Sequence, residues 1–110
     1  MFQDPQTQKN VANFFKILGN PYRLQIVNLL MAGEKNVTEL NGFIKVSQPA
    51  LSQHLSKLHR AGMVGFRRDR RQIYYFLSNP NLVHVLRAMV DALPAHAPAA
   101  SSSSRTTEVA

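Results

Sequence analysis

No cysteine occurs anywhere in the 110 residues. That single absence excludes disulfides, thiolate metal sites, thiol redox sensing and cysteine nucleophiles. Acid is scarce as well. Six Asp and Glu stand against thirteen Lys and Arg, a formal charge of +7 with a pI near 10.4, and an imbalance of that sign suits a polyanionic partner such as nucleic acid. A membrane surface would satisfy the same arithmetic. However, no apolar run approaches the roughly 20 residues needed to cross a bilayer, and Met1 to Asn10 is polar rather than signal-like. The expected location is therefore the cytoplasm, at the nucleoid. Neither a Gly-rich phosphate loop nor a Gly-x-Ser-x-Gly elbow is present. An enzyme has no residue set to rest on, and no cofactor is expected.

What is present is enough apolar material, 45% of the chain, for one domain with one modest core. That domain is expected over residues 1–93. From Pro94 to Ala110 the chain holds Pro, Ala, four consecutive Ser and almost no large apolar side chain, so burial cannot offset its ordering entropy. A disordered tail is expected over 94–110.

Upstream, Asp4-Pro5 supplies a cap and a first-turn proline, and Val11, Phe14, Phe15 and Leu18 follow at helical spacing up to Gly19. Asn20-Pro21 repeats the signal for a second helix, apolar round most of its surface and ending at Gly33, which belongs in the core. A short third helix runs from Asn36 to Ile44 with Val37, Leu40, Phe43 and Ile44 on one face. After a tight turn, Ser47 opens a fourth helix with Leu51, Leu55 and Leu58 in a stripe, stopped at Ala61-Gly62 by a left-handed glycine cap. Met63 to Arg68 and Gln72 to Leu77 read as two strands of a hairpin joined by Asp69-Arg70-Arg71. A last helix from about Pro80 to Leu93 carries Leu82, Leu86, Met89 and Leu93 in one stripe, widened by Val83, Val85 and Val90, more than one small core can cover. The expected element order is three helices, a helix entered through a tight turn, a two-stranded hairpin and a closing helix, mainly α with a small β-hairpin.

Val37 to Lys57 meets the requirements of a helix-turn-helix, in which one helix braces a second that enters the major groove. With Leu51 at the core, a step of about 100° per residue puts Pro49, Ser52, Gln53, Ser56, Lys57 and Arg60 on the opposite side. Gln53 suits a bidentate pair with an adenine edge. Ser47, Gln48 and Ser52 suit bases or phosphates near the helix start, and Lys57 and Arg60 suit phosphates. Polar residues alone are ordinary on any solvated helix face, and the basic cluster changes the weighing. Between Lys57 and Arg71 lie Lys57, Arg60, Arg67, Arg68, Arg70 and Arg71 against Asp69 alone, six cations and one acid, net +5 in fifteen residues. These groups bracket a helix and a hairpin tip, so they can follow one phosphate backbone while the hairpin reaches a neighbouring groove; Gln72 adjoins them. Asp69 is expected to hold the turn. His54 sits on the shoulder of the fourth helix, either donating to a phosphate or packing on the neighbouring helix. His59, His84 and His96 complete the histidines, and none has metal-site spacing.

The run Ser47-Gln48-Pro49-Ala50-Leu51-Ser52-Gln53-His54-Leu55-Ser56-Lys57-Leu58, with Ala61-Gly62-Met63-Val64, Arg71-Gln72-Ile73-Tyr74-Tyr75 and Leu18-Gly19-Asn20-Pro21-Tyr22-Arg23-Leu24, resembles the ArsR/SmtB family of bacterial repressors. The likeness covers roughly residues 10 to 92. It implies a winged helix fold, a homodimer joined through the first and last helices, a recognition helix from Ser47 to Arg60 and a wing from Phe66 to Tyr75. Where metal-sensing members open the third helix with a cysteine motif, this chain has Asn36, Thr38 and Asn41. Where they place Asp, His and Glu on the last helix, it has Asn79, Asn81, Ala92 and Ala95. The resemblance is thus to the branch without an obvious sensor site, and no metal is expected.

The expected partners are double-stranded DNA at an inverted-repeat operator and a second copy of the chain. The dimer is expected to bury Val11, Phe14 and Phe15 of the first helix with Leu82, Leu86, Met89, Val90 and Leu93 of the last. Three alternatives stand beside this reading: an architectural protein that coats DNA without sequence choice, a metal-responsive switch using His84, Asp91 and His96, and a protein-binding adaptor.

Overall fold

Asp4 opens the first helix, α1 (Pro5–Leu18), by accepting a hydrogen bond from the Thr7 amide at 2.9 Å, with Pro5 in the first turn where a missing N–H goes unnoticed. This and the other geometry come from a computed structural model that describes residues 1–94. Asn20 caps α2 (Pro21–Leu30) in the same way, accepting from the amides of Tyr22 and Arg23. Contrary to expectation, α2 stops at Leu30 rather than at Gly33, and only one side of it is core. Ile26, Val27 and Leu30 are buried, whereas Leu24 is 42% exposed.

A two-residue strand, β1 (Lys35–Asn36), then leads into α3 (Val37–Phe43). The Asn36 side chain accepts from the Glu39 amide while Glu39 reaches back to the Asn36 amide, a reciprocal cap worth about 1 kcal/mol. Leu40 and Ile44 are fully buried, but Phe43, expected beside them, is 57% exposed. A helix of two turns presents one narrow stripe to the core, and those two residues fill it. In the turn that follows, the Asn41 amide donates to the carbonyls of Ile44 and Val46 at 3.2 and 2.9 Å. Ser47 caps α4 (Gln48–Arg60), whose Leu51, Leu55 and Leu58 are buried to within 1%. Each such leucine contributes about 1.5–3 kcal/mol of transfer free energy. Beyond α4, Gly62 takes φ +77°, the left-handed conformation that only glycine adopts cheaply.

The hairpin strands are β2 (Val64–Asp69) and β3 (Gln72–Leu77). They belong to a three-stranded antiparallel sheet of order β1-β3-β2 rather than to an isolated two-stranded hairpin. Pairing continues to Asp69 opposite Gln72, so the turn is Arg70-Arg71 alone and Asp69 closes a strand. Gly65 pairs with Phe76, whose ring occupies the space a Cβ would need: the nearest ring carbons lie 2.8 Å from that point.

The chain divides after Asn79. In the first unit, Met1–Asn79, α2 packs on α1, α4 and β3, and α4 packs on β2. In the second, α5 (Asn81–Ala92) has Leu82 buried and Leu86 half-buried, with Met89, Val90 and Leu93 exposed. Of the segment expected to form a tail, all but Pro94 lies outside the described residues. No described helix is long and apolar enough to cross a membrane.

Candidate nucleic-acid interface

The apolar stripe of α4 decides where its polar side points. With Leu51, Leu55 and Leu58 turned inward, Gln48, Pro49, Ser52, Gln53, Ser56, Lys57 and Arg60 are all exposed, as helix geometry requires. No hydrogen bond or ion pair ties the side chains of Gln53, Ser56 or Arg60 among the described residues. Ser47 is exposed too, but its oxygen already accepts from the Ala50 amide at 3.2 Å, leaving the hydroxyl proton to give. The bracing element is in place: the Asn41 amide holds the turn between α3 and α4 by its two carbonyl bonds.

His54 does not stand among the outward group. Its ring lies 5.7 Å from that of Tyr22 on α2, and Nδ1 is 3.4 Å from an Arg23 guanidinium nitrogen. Partial burial, and then the charges of Arg23 and Lys57, push its pKa below the ordinary 6.5. The ring thus packs on the neighbouring helix, one of the two roles open to it. Arg23 also donates from Nε to the Ile17 carbonyl at 2.7 Å, so it joins the end of α1 to α4.

The wing's arginines separate by strand alternation. Val64, Phe66 and Arg68 share one face of β2, and Gly65, Arg67 and Asp69 the other. On the first face, the Phe66 ring lies tilted 5.0 Å from that of His59 on α4 and 5.8 Å from that of Tyr75, so Arg68 lies on the side of the sheet that meets α4. Arg70 and Arg71 form the exposed tip, and Arg70 holds φ +59°, unusual for a residue with a Cβ. Gln72 is exposed beside them.

Arg67, expected among the phosphate ligands, is engaged elsewhere. Its guanidinium forks onto Glu34 with bonds of 2.8 and 3.0 Å, lies 4.7 Å above the Tyr74 ring, and comes within 3.8 Å of Asp69. The pair holds Glu34 below the usual carboxylate range and raises Arg67. Glu34 and Tyr74 escaped the sequence reading because the pairing spans 33 residues and Glu34 sits in an unpatterned turn.

The residues expected to meet a second copy differ in exposure. On α1, Val11 and Phe14 are half-buried and Phe15 is 48% exposed; on α5, Leu82 is fully buried, with no surface left for a partner. Among the described residues no group of three metal-ligating side chains comes together. His84 and Asp91 are exposed on α5, and His96 lies outside the described residues.

Comparison with known proteins agrees with this geometry. Residues 20–65 match the family described as bacterial regulatory protein, arsR family. A biofilm growth-associated repressor of Xylella fastidiosa is 39% identical over 88 residues, covering 79% of this chain and 77% of its own. The transcriptional activator HlyU of Vibrio cholerae is 36% identical over 91 residues, with coverage of 80% and 81%. Among solved structures, the homodimeric winged helix-turn-helix DNA-binding domain of Mb0332 from Mycobacterium bovis, described as a possible ArsR-family regulator, superposes with a TM-score of 0.73 at 27% identity, covering 87% of this chain and 93% of that one.

Proposed function

The chain belongs to the arsR family of bacterial regulatory proteins, a family of winged-helix DNA-binding regulators, and from that premise we propose that it is a homodimeric repressor acting at an inverted-repeat operator. The observation that carries the proposal is the division of α4 into a buried leucine stripe and an exposed side bearing Gln53, Lys57 and Arg60, continued by Arg68, Arg70 and Arg71 of the wing. Gln53 reads a base edge, Ser47, Gln48, Ser52 and Ser56 support it near the groove, and the cations bind phosphates. His54 braces the helix.

The homodimer buries exposed apolar surface that a lone chain leaves wet: Phe15 with its neighbours Val11 and Phe14 on α1, and Met89, Val90 and Leu93 with Leu86 on α5. Two-fold symmetry then sets the two reading helices about one DNA turn apart, and an operator of matching symmetry follows. Repression results when that operator overlaps a promoter. The protein works in the cytoplasm at the nucleoid and requires no metal.

Footprinting on genomic DNA, with affinity measured across a salt series, tests the reading. Protection confined to one dyad, with log affinity falling by about 0.9 per phosphate neutralised for each unit of log salt, is expected. Uniform coating of all sequences would identify an architectural protein instead, and affinity altered by zinc, nickel or cobalt would restore the metal-responsive alternative.

A further inference from the structure

The Arg67 fork crosses the whole sheet. Glu34 immediately precedes β1, the edge strand that leads into α3; Tyr74 belongs to the central strand and pairs with both Asn36 and Arg67; Arg67 belongs to the other edge. A guanidinium held by two parallel bonds to one carboxylate and lying over an aromatic ring has few orientations left to it. The connection therefore ties the start of the helix-turn-helix, through Glu34, to the strand that carries Arg68 and ends at the Arg70-Arg71 tip.

We infer that Glu34 and Arg67 form a positioning clamp that holds the wing in register with the reading helix, so that an acidic side chain strengthens DNA binding and an arginine of the basic segment acts without touching DNA. The inference rests on the proposed DNA-facing role of α4 and the wing. Its logic is entropic. Beyond Tyr74, where the pairing with β1 ends, the wing is a two-stranded ribbon, and such ribbons are marginal alone; a tip free to sway would have to be ordered on every encounter with a duplex. The clamp arranges that order beforehand, at the cost of one cation withdrawn from the phosphates.

Two accounts of these residues predict opposite signs. If Arg67 is a phosphate ligand that Glu34 restrains, Glu34→Gln removes a negative charge, frees a cation, tightens binding and steepens the salt dependence by about 2 per dimer. If the pair is a clamp, Glu34→Gln weakens operator binding, by about tenfold on losing one wing phosphate contact per protomer, and the salt slope becomes shallower by about 2. Arg67→Gln should then weaken binding to the same extent, and the double variant should be no worse than either single one. The exchanged pair Glu34→Arg with Arg67→Glu keeps the net charge and remakes the ion pair, and should recover part of the affinity. Loss of folding alone would lower the active fraction but would leave the slope of the remaining binding unchanged. Melting curves on each variant separate the two.

Unchanged or tighter binding by Glu34→Gln, alongside a clear loss on neutralising Arg68 and Arg70, would overturn the clamp and leave the DNA-facing reading intact. No loss on neutralising Arg68 and Arg70 would overturn both, since a wing that does not meet DNA needs no positioning.

Discussion

Arg23 on α2 donates to Nδ1 of His54 on α4 across 3.4 Å. Arginine has no acceptor to offer, so the imidazole must be neutral with its proton on Nε2. The contact ties α4 to α2 behind it, and it makes the bond between them sensitive to acid.

The first prediction follows from the sign of that coupling. The folded state lowers the His54 pKa below 6.5, chiefly through burial and then through Arg23 and Lys57. A base with a depressed folded pKa contributes its stability in full above the unfolded value and loses it as pH falls through that value toward the folded one. Urea midpoints should decline between about pH 7 and pH 5, and the decline should be shallower in His54→Gln. Equal declines in both proteins would show that His54 is not the group responsible.

Gly65 yields a steric prediction. In Gly65→Ala the new methyl meets the Phe76 ring at 2.8 Å, and the ring must leave its place across the strand. Such overpacking costs about 1–3 kcal/mol. Thermal melts should show the loss, and adding Phe76→Leu should return part of it by vacating the space.

Gln53 is expected to act on sequence choice. Gln53→Ala should weaken operator binding by about 1–3 kcal/mol, the worth of a bidentate base contact, with little change on random DNA. Equal losses on both, measured in parallel titrations, would make Gln53 a backbone contact or a bystander.

Arg70 separates stability from binding. At φ +59° its Cβ is crowded, and glycine suffers no such penalty. Arg70→Gly should leave the melting temperature unchanged or slightly raised while lowering affinity for every sequence. A lowered melting temperature with unaltered affinity would assign the arginine to the turn rather than to DNA.

Helix order and caps were legible in the sequence because they depend on neighbours: Asp4-Pro5, Asn20-Pro21 and Ser47 announce their helices within three residues. The exposed side of α4 was legible for the same reason, since Leu51, Leu55 and Leu58 fix it by periodicity. Features that depend on distant partners were not. Strand β1 is two residues long and exists only because Tyr74 and Tyr75 offer it an edge. Arg67 looked like its neighbours Arg68 and Arg70, and only the sheet register brings it to Glu34. Phe43 shows the limit of the helical wheel: hydrophobic spacing says which residues share a side, not how wide a stripe the core can cover.

Asn36 and Asn41 occupy positions where the family resemblance places cysteine in metal-sensing relatives. Here each has other employment. Asn36 closes the start of α3 through its exchange with Glu39, and Asn41 spans the bend into α4 with one amide and two carbonyls. Thiols at these two sites would give up the exchange with Glu39 and the two bonds across the bend, a stability cost of about 1 kcal/mol for the cap alone that a bound ion would have to offset, because sulfur replaces neither the carboxamide acceptor nor its paired donors.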